Sequence, residues 1–293
     1  MKQTIFLKWM IPLIFLLTLA ATLAGLWPSD GESYKLTNFR GEQVSINARG
    51  LYYWDTVSSV AQMQANDLVM LMVGLPLLLV SFWLALRGSL RGKLLLAGTL
   101  GFILYTYITM CFGAAYNDFF LVYVALFSLS LFSFILTMQW IERETLPMRF
   151  SDKFPRRWIA GLLIFSGLFL LVAWLGRIIP TLTADQMPML DNITSMFIQA
   201  MDLGIIVPTC VISALLLLQR QAWGYLLASV AMMKFLTMGL AVSLMAINMM
   251  RVGVTVSPAE LTIFPMITLI NLIMAILLLK NIKPASSNST TIG

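Results

Sequence analysis

Histidine is missing from this chain of 293 residues. Imidazole is a frequent haem and metal ligand and the commonest proton carrier in catalysis near neutral pH. Its absence excludes His-ligated haem, histidine-dependent metal centres, Ser-His-Asp or Cys-His catalysis and histidine proton relays. The sequence therefore argues against most membrane redox enzymes and intramembrane metalloproteases. We predict no catalytic residue, no metal site and no cofactor, and we do not expect an enzyme.

Cysteine and charged residues are scarce as well. The two cysteines, Cys111 and Cys210, fall at different depths of predicted helices, which excludes a disulfide between them and favours a role as small packing residues. Charged residues make up 11% of the chain and hydrophobic residues 59%, with a mean hydropathy of +0.87. These values lie outside the range of soluble domains and are typical of a polytopic membrane protein.

The hydrophobic runs predict an all-α bundle of eight transmembrane helices, in which residues 1–293 form one transmembrane domain. Each run is near the 20 residues that a bilayer requires. The predicted spans are 5–27, 67–86, 94–114, 119–140, 158–175, 195–218, 223–248 and 258–279. The first run could instead be a cleaved signal peptide, with Thr22 and Ala24 at a small-residue cleavage site. Its length favours a retained helix.

The sizeable polar region lies between the first two spans, at residues 28–66. SYKLTNF and QVSIN alternate like short strands on either side of residues 40–42, which predicts a β-hairpin. The following LYYWDTVSSVAQMQAND predicts an amphipathic helix that lies on the membrane surface and leads into the second span. Its aromatic residues 52–54 suit an interfacial anchor, or could cover the opening of a site.

The basic residues predict the orientation of the bundle. With the N-terminus and C-terminus inside, thirteen basic residues face inward: Lys2, Lys8, Arg87, Arg91, Lys93, Arg143, Arg149, Lys153, Arg156, Arg157, Arg220, Lys280 and Lys283. Five face outward: Lys35, Arg40, Arg49, Arg177 and Arg251. Residues 28–66 are then extracytoplasmic. The inner surface needs only anionic lipid headgroups as partners, and we expect no nucleic acid.

Asp202 and Lys234 are the leading candidates for a functional site, because each lies within an otherwise apolar span. A charge inside a bilayer costs at least a few kcal/mol, so such residues usually face the protein interior and find a partner. The short turn at residues 219–221 makes the sixth and seventh helices antiparallel neighbours, which brings the two side chains within reach of each other. They could form a substrate or ion site, or a structural ion pair.

Further candidates extend this site along neighbouring helices. Pro208 and the corresponding Pro76 each remove a backbone donor and disturb the helix locally. Tyr105 and Tyr107 could line a polar cavity or hydrogen-bond between helices, and Asn271 lies near the middle of the last span. These residues complete the predicted substrate or ion site.

A second polar group is predicted at the outer interface. It consists of Asp55, Asp67, Asn117 and Asp118, which could bind a divalent cation or a lipid headgroup. Carboxylates at such interfaces are also commonly solvated helix ends, and no metal-ligand spacing connects these four.

An internal repeat is suggested when the second and third spans are shifted by 132 positions. Pro76 then falls on Pro208, Gly92 on Gly224 and Ser81 on Ser213 without a gap. Both copies would run from outside to inside and back, as expected for two parallel four-helix repeats. Bundles of this kind often bind solutes at the interface between their repeats.

A resemblance to an uncharacterised family of prokaryotic multi-spanning membrane proteins is carried by RGSLRGKLLLAGTLGFILYTYITMCFGAAYNDFFLVYVALFSLSLFSF, MDLGIIVP and WGYLLASVAMMKF. It covers roughly residues 50–250. The resemblance implies a multi-pass protein of the bacterial or archaeal plasma membrane. It implies no activity, substrate or site.

Three functions fit this sequence. The first is a transporter or channel-like protein for a small solute or ion, with Asp202 and Lys234 at its site. The second is a non-catalytic sensor, assembly factor or interaction protein that acts through its extracytoplasmic segment. The third is a lipid-modifying membrane enzyme that uses the outer polar group.

Overall fold

Eight long helices dominate the structure. The computed structural model describes residues 2–184, 187–188 and 190–283. Within these ranges, eight helices are long and apolar enough to cross a membrane. They are α1 (Lys2–Leu26), α2 (Val57–Leu86), α3 (Leu90–Gly113), α4 (Phe120–Trp140), α5 (Arg156–Thr183), α6 (Phe197–Leu218), α7 (Ala222–Arg251) and α8 (Pro258–Lys280). The prediction of eight apolar helices is confirmed, and the chain is an integral, multi-pass membrane protein.

The second helix begins earlier than predicted. Its residues before position 67 do not form a separate helix on the membrane surface, so that prediction was wrong. Thr56 caps the helix by accepting a hydrogen bond from the Ser59 backbone at 3.2 Å. Val60 and Ala61 are then buried in the first turns. The helical hydrogen bonding continues from these turns into the apolar run, so the two stretches form one helix.

A two-stranded antiparallel hairpin precedes α2, as predicted. It consists of β1 (Tyr34–Thr37) and β2 (Gln43–Ile46). The Arg40 guanidinium at its tip donates to the carbonyls of Ile193, at 3.1 Å, and Asp191. These bonds attach the hairpin to the loop before α6. We call this side of the bundle the hairpin end, and the opposite side, which carries most basic residues, the basic end.

The connections at the basic end are short. A 3-10 turn (Arg143–Thr145) and a helical turn (Leu146–Arg149) join α4 to α5. Phe150 then forms an isolated antiparallel bridge with Ile282, which ties this loop to the end of α8. The aromatic rings of Phe150, Phe154 and Tyr225 pack together beneath it.

Helices α3 and α7 lie at the centre of the bundle. Helix α3 packs against α2, α4 and α7, and α7 also packs against α2, α6 and α8. The two central helices approach closely at Gly98, where an added Cβ would meet the Met233 side chain and the Lys234 backbone nitrogen at 3.0 Å. Glycine is therefore required for this contact between the two helices.

Two helices contain a π-helical turn, and the turns correspond in position. Helix α2 has its π turn at Met70–Gly74 and α6 at Asp202–Ile206, which is 132 residues later in both cases. Each turn is followed within two residues by a proline, Pro76 or Pro208. Proline lacks a backbone donor and disfavours regular helix before it, which accounts for the wider turn at both places.

Substitution of Gly98 tests the central helix contact. Gly98→Ala should lower the free energy of unfolding by about 1–3 kcal/mol, because the added methyl group overpacks the contact between α3 and α7. Gly161→Ala is the control, since an added Cβ there meets nothing within 4 Å. Chemical unfolding in detergent micelles measures both. Equal stability of the two variants would contradict this account of the core.

Candidate functional site

Asp202 lies at the start of the π turn in α6. Its side chain is buried, with 7% of its surface exposed. In this turn the Val207 backbone donates to the Asp202 carbonyl, five residues back instead of four. A π turn widens the helix locally, and such turns are frequent at functional sites. The turn lies in the half of the bundle nearer the hairpin end.

Two neutral donors hold the Asp202 carboxylate. The Tyr105 hydroxyl on α3 donates to one carboxylate oxygen at 2.8 Å, and the Trp174 indole on α5 donates to the other at 2.9 Å. Hydrogen bonds to an ionised acceptor are about twice as strong as neutral ones. Both oxygens of Asp202 are therefore satisfied by groups from two other helices.

Lys234 reaches the same site from α7. Its ammonium lies 4.1 Å from the centre of the Tyr105 ring and 5.5 Å from that of Phe235. Its stem passes Gly101 on α3, where an added Cβ would be 3.8 Å from the lysine Cγ. A cation over an aromatic face is stabilised by about 2 kcal/mol when it is desolvated.

Asp202 and Lys234 do not form a direct ion pair. In the described part of the chain, the ion pairs are Arg40 with Glu42 and Arg143 with Glu144, each at 2.8 Å. Tyr105 instead connects the two charges, since its hydroxyl donates to Asp202 and the Lys234 ammonium lies over its ring. We call Asp202, Tyr105, Trp174 and Lys234 the Asp202 site.

The other residues predicted for this site lie elsewhere. Asn271 donates to the carbonyl of Met232 at 3.1 Å and ties α8 to α7. Pro208 and Pro76 follow their π turns and shape the helices. Tyr107 is two residues from Tyr105, about 200° around the helix, and therefore faces another part of the bundle.

Tyr107 belongs to a buried polar cluster around Asp67. The Asp67 carboxylate accepts a hydrogen bond from the Tyr52 hydroxyl at 2.6 Å. Tyr107 stacks on Tyr123 with 6.0 Å between ring centres. This cluster connects α2, α3, α4 and the segment before α2 that carries Tyr52.

The four residues of the predicted outer polar group are dispersed. Asp55 accepts a hydrogen bond from the Ala115 backbone at 2.9 Å, and Asn117 donates to the carbonyl of the same residue at 3.2 Å. Asp67 is buried with Tyr52, and Asp118 is exposed. Asp55 and Asn117 therefore both bind the backbone of Ala115, whereas Asp67 and Asp118 do not.

Two cavities open at the hairpin end. The smaller, of about 170 Å³, lies between the start of α2, the end of α3 and the loop before α6. We call it the Asp55 cavity, because that side chain lines it. The larger, of about 510 Å³, lies between the end of α1, the hairpin and the start of α2. Neither of these two cavities is lined by Asp202 or Lys234.

Asp55 has an unusual environment for a carboxylate outside the spans. Burial raises the pKa of its carboxyl from 3.8 to about 6, although the hydrogen bond from Ala115 acts in the opposite direction. Its second oxygen, Oδ2, has no hydrogen-bond partner among the described residues. A buried acceptor of this kind is costly unless it binds a proton, water or a ligand.

Comparison of the chain with protein-family models, with curated proteins and with solved structures finds no match. The class of this protein, an integral membrane protein with eight apolar helices, therefore depends on its own sequence and fold.

Two residues of these sites were missed by sequence reasoning. Trp174 was overlooked because an isolated tryptophan in an apolar helix is usually a packing residue. Trp174 could have been identified because the N–H of a buried indole needs a hydrogen-bond acceptor. A carboxylate on a neighbouring helix could supply that acceptor. Tyr52 was interpreted as an interfacial anchor, but it is buried and binds Asp67.

The pKa of Asp55 predicts a pH dependence of stability. The folded state binds this proton more tightly than the unfolded state, so stability falls as pH rises from about 4 to about 6 and then levels off. The loss is about 3 kcal/mol for a shift of this size. Unfolding of wild type and Asp55→Asn in micelles from pH 4 to pH 7 measures it.

Asp118→Asn is the control for this series, because that carboxylate is exposed. Its pH curve should follow the wild type, whereas Asp55→Asn should be less destabilised across the same range. Parallel curves for wild type and Asp55→Asn would contradict the assignment.

Proposed function

We propose that this protein is a transporter or channel-like protein that moves a small solute or ion through the Asp202 site. The observation that supports this most is the shared contact at Tyr105, which binds Asp202 through its hydroxyl and Lys234 through its ring. The two opposite charges are thus held near each other without a direct ion pair. Separating a buried ion pair is costly, and a bridge through a neutral side chain reduces that cost.

The chemistry of this site suits exchange with a charged group. A cationic solute would replace the hydroxyl of Tyr105 or the indole of Trp174 at Asp202, and an anionic solute would replace the ring of Tyr105 at Lys234. In either case each charge of the protein keeps a partner while the solute passes. That condition is essential, because lipid offers no substitute for a lost partner.

The position of the Asp55 cavity on the helix that carries Tyr105 supports the same proposal. The Asp55 cavity is lined by Phe112 and Gly113 on α3, and Tyr105 lies about 10 Å further along that helix. The ring of Phe197 packs on Gly113 so closely that an added Cβ would collide with it. Phe197 is five residues before Asp202 on α6. We infer that Phe197 separates the cavity from the Asp202 site.

We also propose that the bundle consists of two parallel four-helix repeats. The corresponding π turns support this, as do Gly92 and Gly224, which pack on Leu84 and Leu216 at the same offset of 132 residues. Transporters built from repeats commonly bind their substrates at the repeat interface. Tyr105 would belong to the first repeat and Asp202, Trp174 and Lys234 to the second, so the site would lie between the two.

The proposed location is the prokaryotic plasma membrane, with the hairpin end outside. At the basic end, three cations lie over tryptophan rings: Arg87 over Trp83 at 3.7 Å, Lys93 over Trp140 at 4.8 Å and Arg143 over Trp223 at 4.5 Å. Basic residues and tryptophan together are typical of the cytoplasmic interface, where anionic lipids are the expected partners.

A second candidate function is supported by the hairpin surface. Tyr34, Leu36 and Phe39 are 40%, 43% and 68% exposed. Exposed apolar residues grouped on one hairpin can bind a protein partner. The protein would then be a non-catalytic sensor or assembly factor that acts through this segment.

Transport is tested with purified protein in lipid vesicles. Uptake of sodium, rubidium, tetramethylammonium and chloride is compared between wild type, Asp202→Asn, Lys234→Met and the surface control Asp118→Asn. We expect wild type and Asp118→Asn to move at least one of these ions and both site variants to move it at least about tenfold more slowly, since each loses one charge of the site. Unchanged uptake by Asp202→Asn would refute the proposed role of this residue.

The hairpin separates the two candidate functions. In the variant Tyr34→Ser, Leu36→Ser and Phe39→Ser, a transporter should keep its vesicle uptake within about twofold of wild type, because these side chains take no part in the contacts that form the Asp202 site. Intact uptake together with intact growth of cells that depend on the protein would leave transport as the function. Lost growth with intact vesicle uptake would instead favour a partner-binding role.

A further inference from the structure

The Asp55 cavity contains a carboxylate of which, in the described part of the chain, one oxygen is hydrogen-bonded and the other is not. Asp55 is 6% exposed, and its Oδ1 accepts the hydrogen bond from the Ala115 backbone at 2.9 Å. Oδ2 has no partner among the described residues, and the side chain lines the cavity. A buried acceptor without a partner is destabilising, and a bound donor would remove that cost.

The other walls of the cavity supply polar and aromatic groups. Hydroxyl and amide side chains line it at Thr56, Ser59, Asn192, Thr194 and Ser195. Two rings, those of Trp54 and Phe112, also line it, and both are largely exposed, at 58% and 65%. The Asp191 carboxylate lies beside the cavity, where it accepts a hydrogen bond from Thr56.

These groups together select for a cation. A carboxylate oxygen attracts positive charge and repels anions, and the second carboxylate of Asp191 acts in the same direction. A divalent metal ion prefers several carboxylate ligands, but Asp55 is the carboxylate that lines this cavity. In the described part of the chain, no group of three or more acidic residues or cysteines could hold a metal ion.

The rings of Trp54 and Phe112 indicate which kind of cation the cavity would bind. Ammonium groups are stabilised over aromatic faces, tryptophan being the best, and they donate charge-assisted hydrogen bonds to carboxylates. A volume of about 170 Å³ is below the range of drug-sized pockets and admits only a few heavy atoms. The cavity therefore matches a small organic ammonium ion.

We propose that the Asp55 cavity binds a small organic ammonium ion, with Asp55 Oδ2 as its counter-ion and Trp54 against its alkyl groups. Binding at this position does not require that the Asp202 site transports anything. If both proposals hold, the cavity gives the substrate class, because the Phe197 ring of α6 packs on the lining residue Gly113 and Asp202 lies five residues further along α6.

Binding is measured on the full chain in lipid nanodiscs, with methylammonium and tetramethylammonium as probes and sodium chloride at equal ionic strength as the reference. The readouts are the melting temperature and tryptophan fluorescence. We expect saturable stabilisation by at least one ammonium probe, beyond that of sodium, in wild type and in the surface control Asp118→Asn. Asp55→Asn should bind about tenfold more weakly or worse, because it loses the charged acceptor.

Ser195→Phe provides a second variant that keeps Asp55 and places a large ring at a residue that lines the cavity, and it should also lose binding. An equal response to sodium and to both ammonium probes would overturn the proposal, as would unchanged binding in both cavity variants. Binding lost in Asp202→Asn but kept in Asp55→Asn would also overturn it and would place the cation at the Asp202 site. Binding lost only in the cavity variants, without any vesicle uptake, would support this site and refute transport.

Discussion

A charge inside an apolar helix bundle can be stabilised only by other parts of the protein, because lipid chains supply neither hydrogen bonds nor counter-ions. In this protein that constraint is concentrated at Asp202. Its carboxylate accepts hydrogen bonds from α3 and α5, and the ammonium of Lys234 on α7 lies over the same tyrosine that binds it. Asp202 therefore connects α6 directly to α3 and α5, and Tyr105 extends this connection to α7.

The close packing of the central helices makes this arrangement possible. Helices α3 and α7 meet at Gly98, and the stem of Lys234 then follows α3 past Gly101 towards Tyr105. A larger residue at Gly98 would collide with Met233 and with the backbone of Lys234. The π turn at Asp202–Ile206 contributes in the same way, because it sets the rotation of the turn that carries the carboxylate. The site is thus a product of backbone geometry as much as of its charged residues.

The helices and the hairpin could be predicted because their sequence patterns are local. Long apolar runs marked all eight spans, and the alternation around residues 40–42 marked the hairpin. The rarity of intramembrane charge identified Asp202 and Lys234, and both reach one site. The start of α2 was misplaced because α7 packs against its first turns, which only the fold reveals. Trp174 and the separation of Tyr105 from Tyr107 depend on helix rotation, which a sequence of nearly uniform hydrophobicity does not specify.

The central claim is that the side chains of the Asp202 site are accessible to water and solute and do not form a closed structural contact. Accessibility of a thiol at that position tests this most directly. Asp202→Cys is made in a Cys111→Ala background that keeps Cys210, a buried cysteine on the same helix, as the reference for an inert thiol. A charged, membrane-impermeant thiol reagent is then added to oriented vesicles. The account predicts that the new thiol reacts from at least one side and that Cys210 does not, whereas a thiol inert from both sides would contradict it.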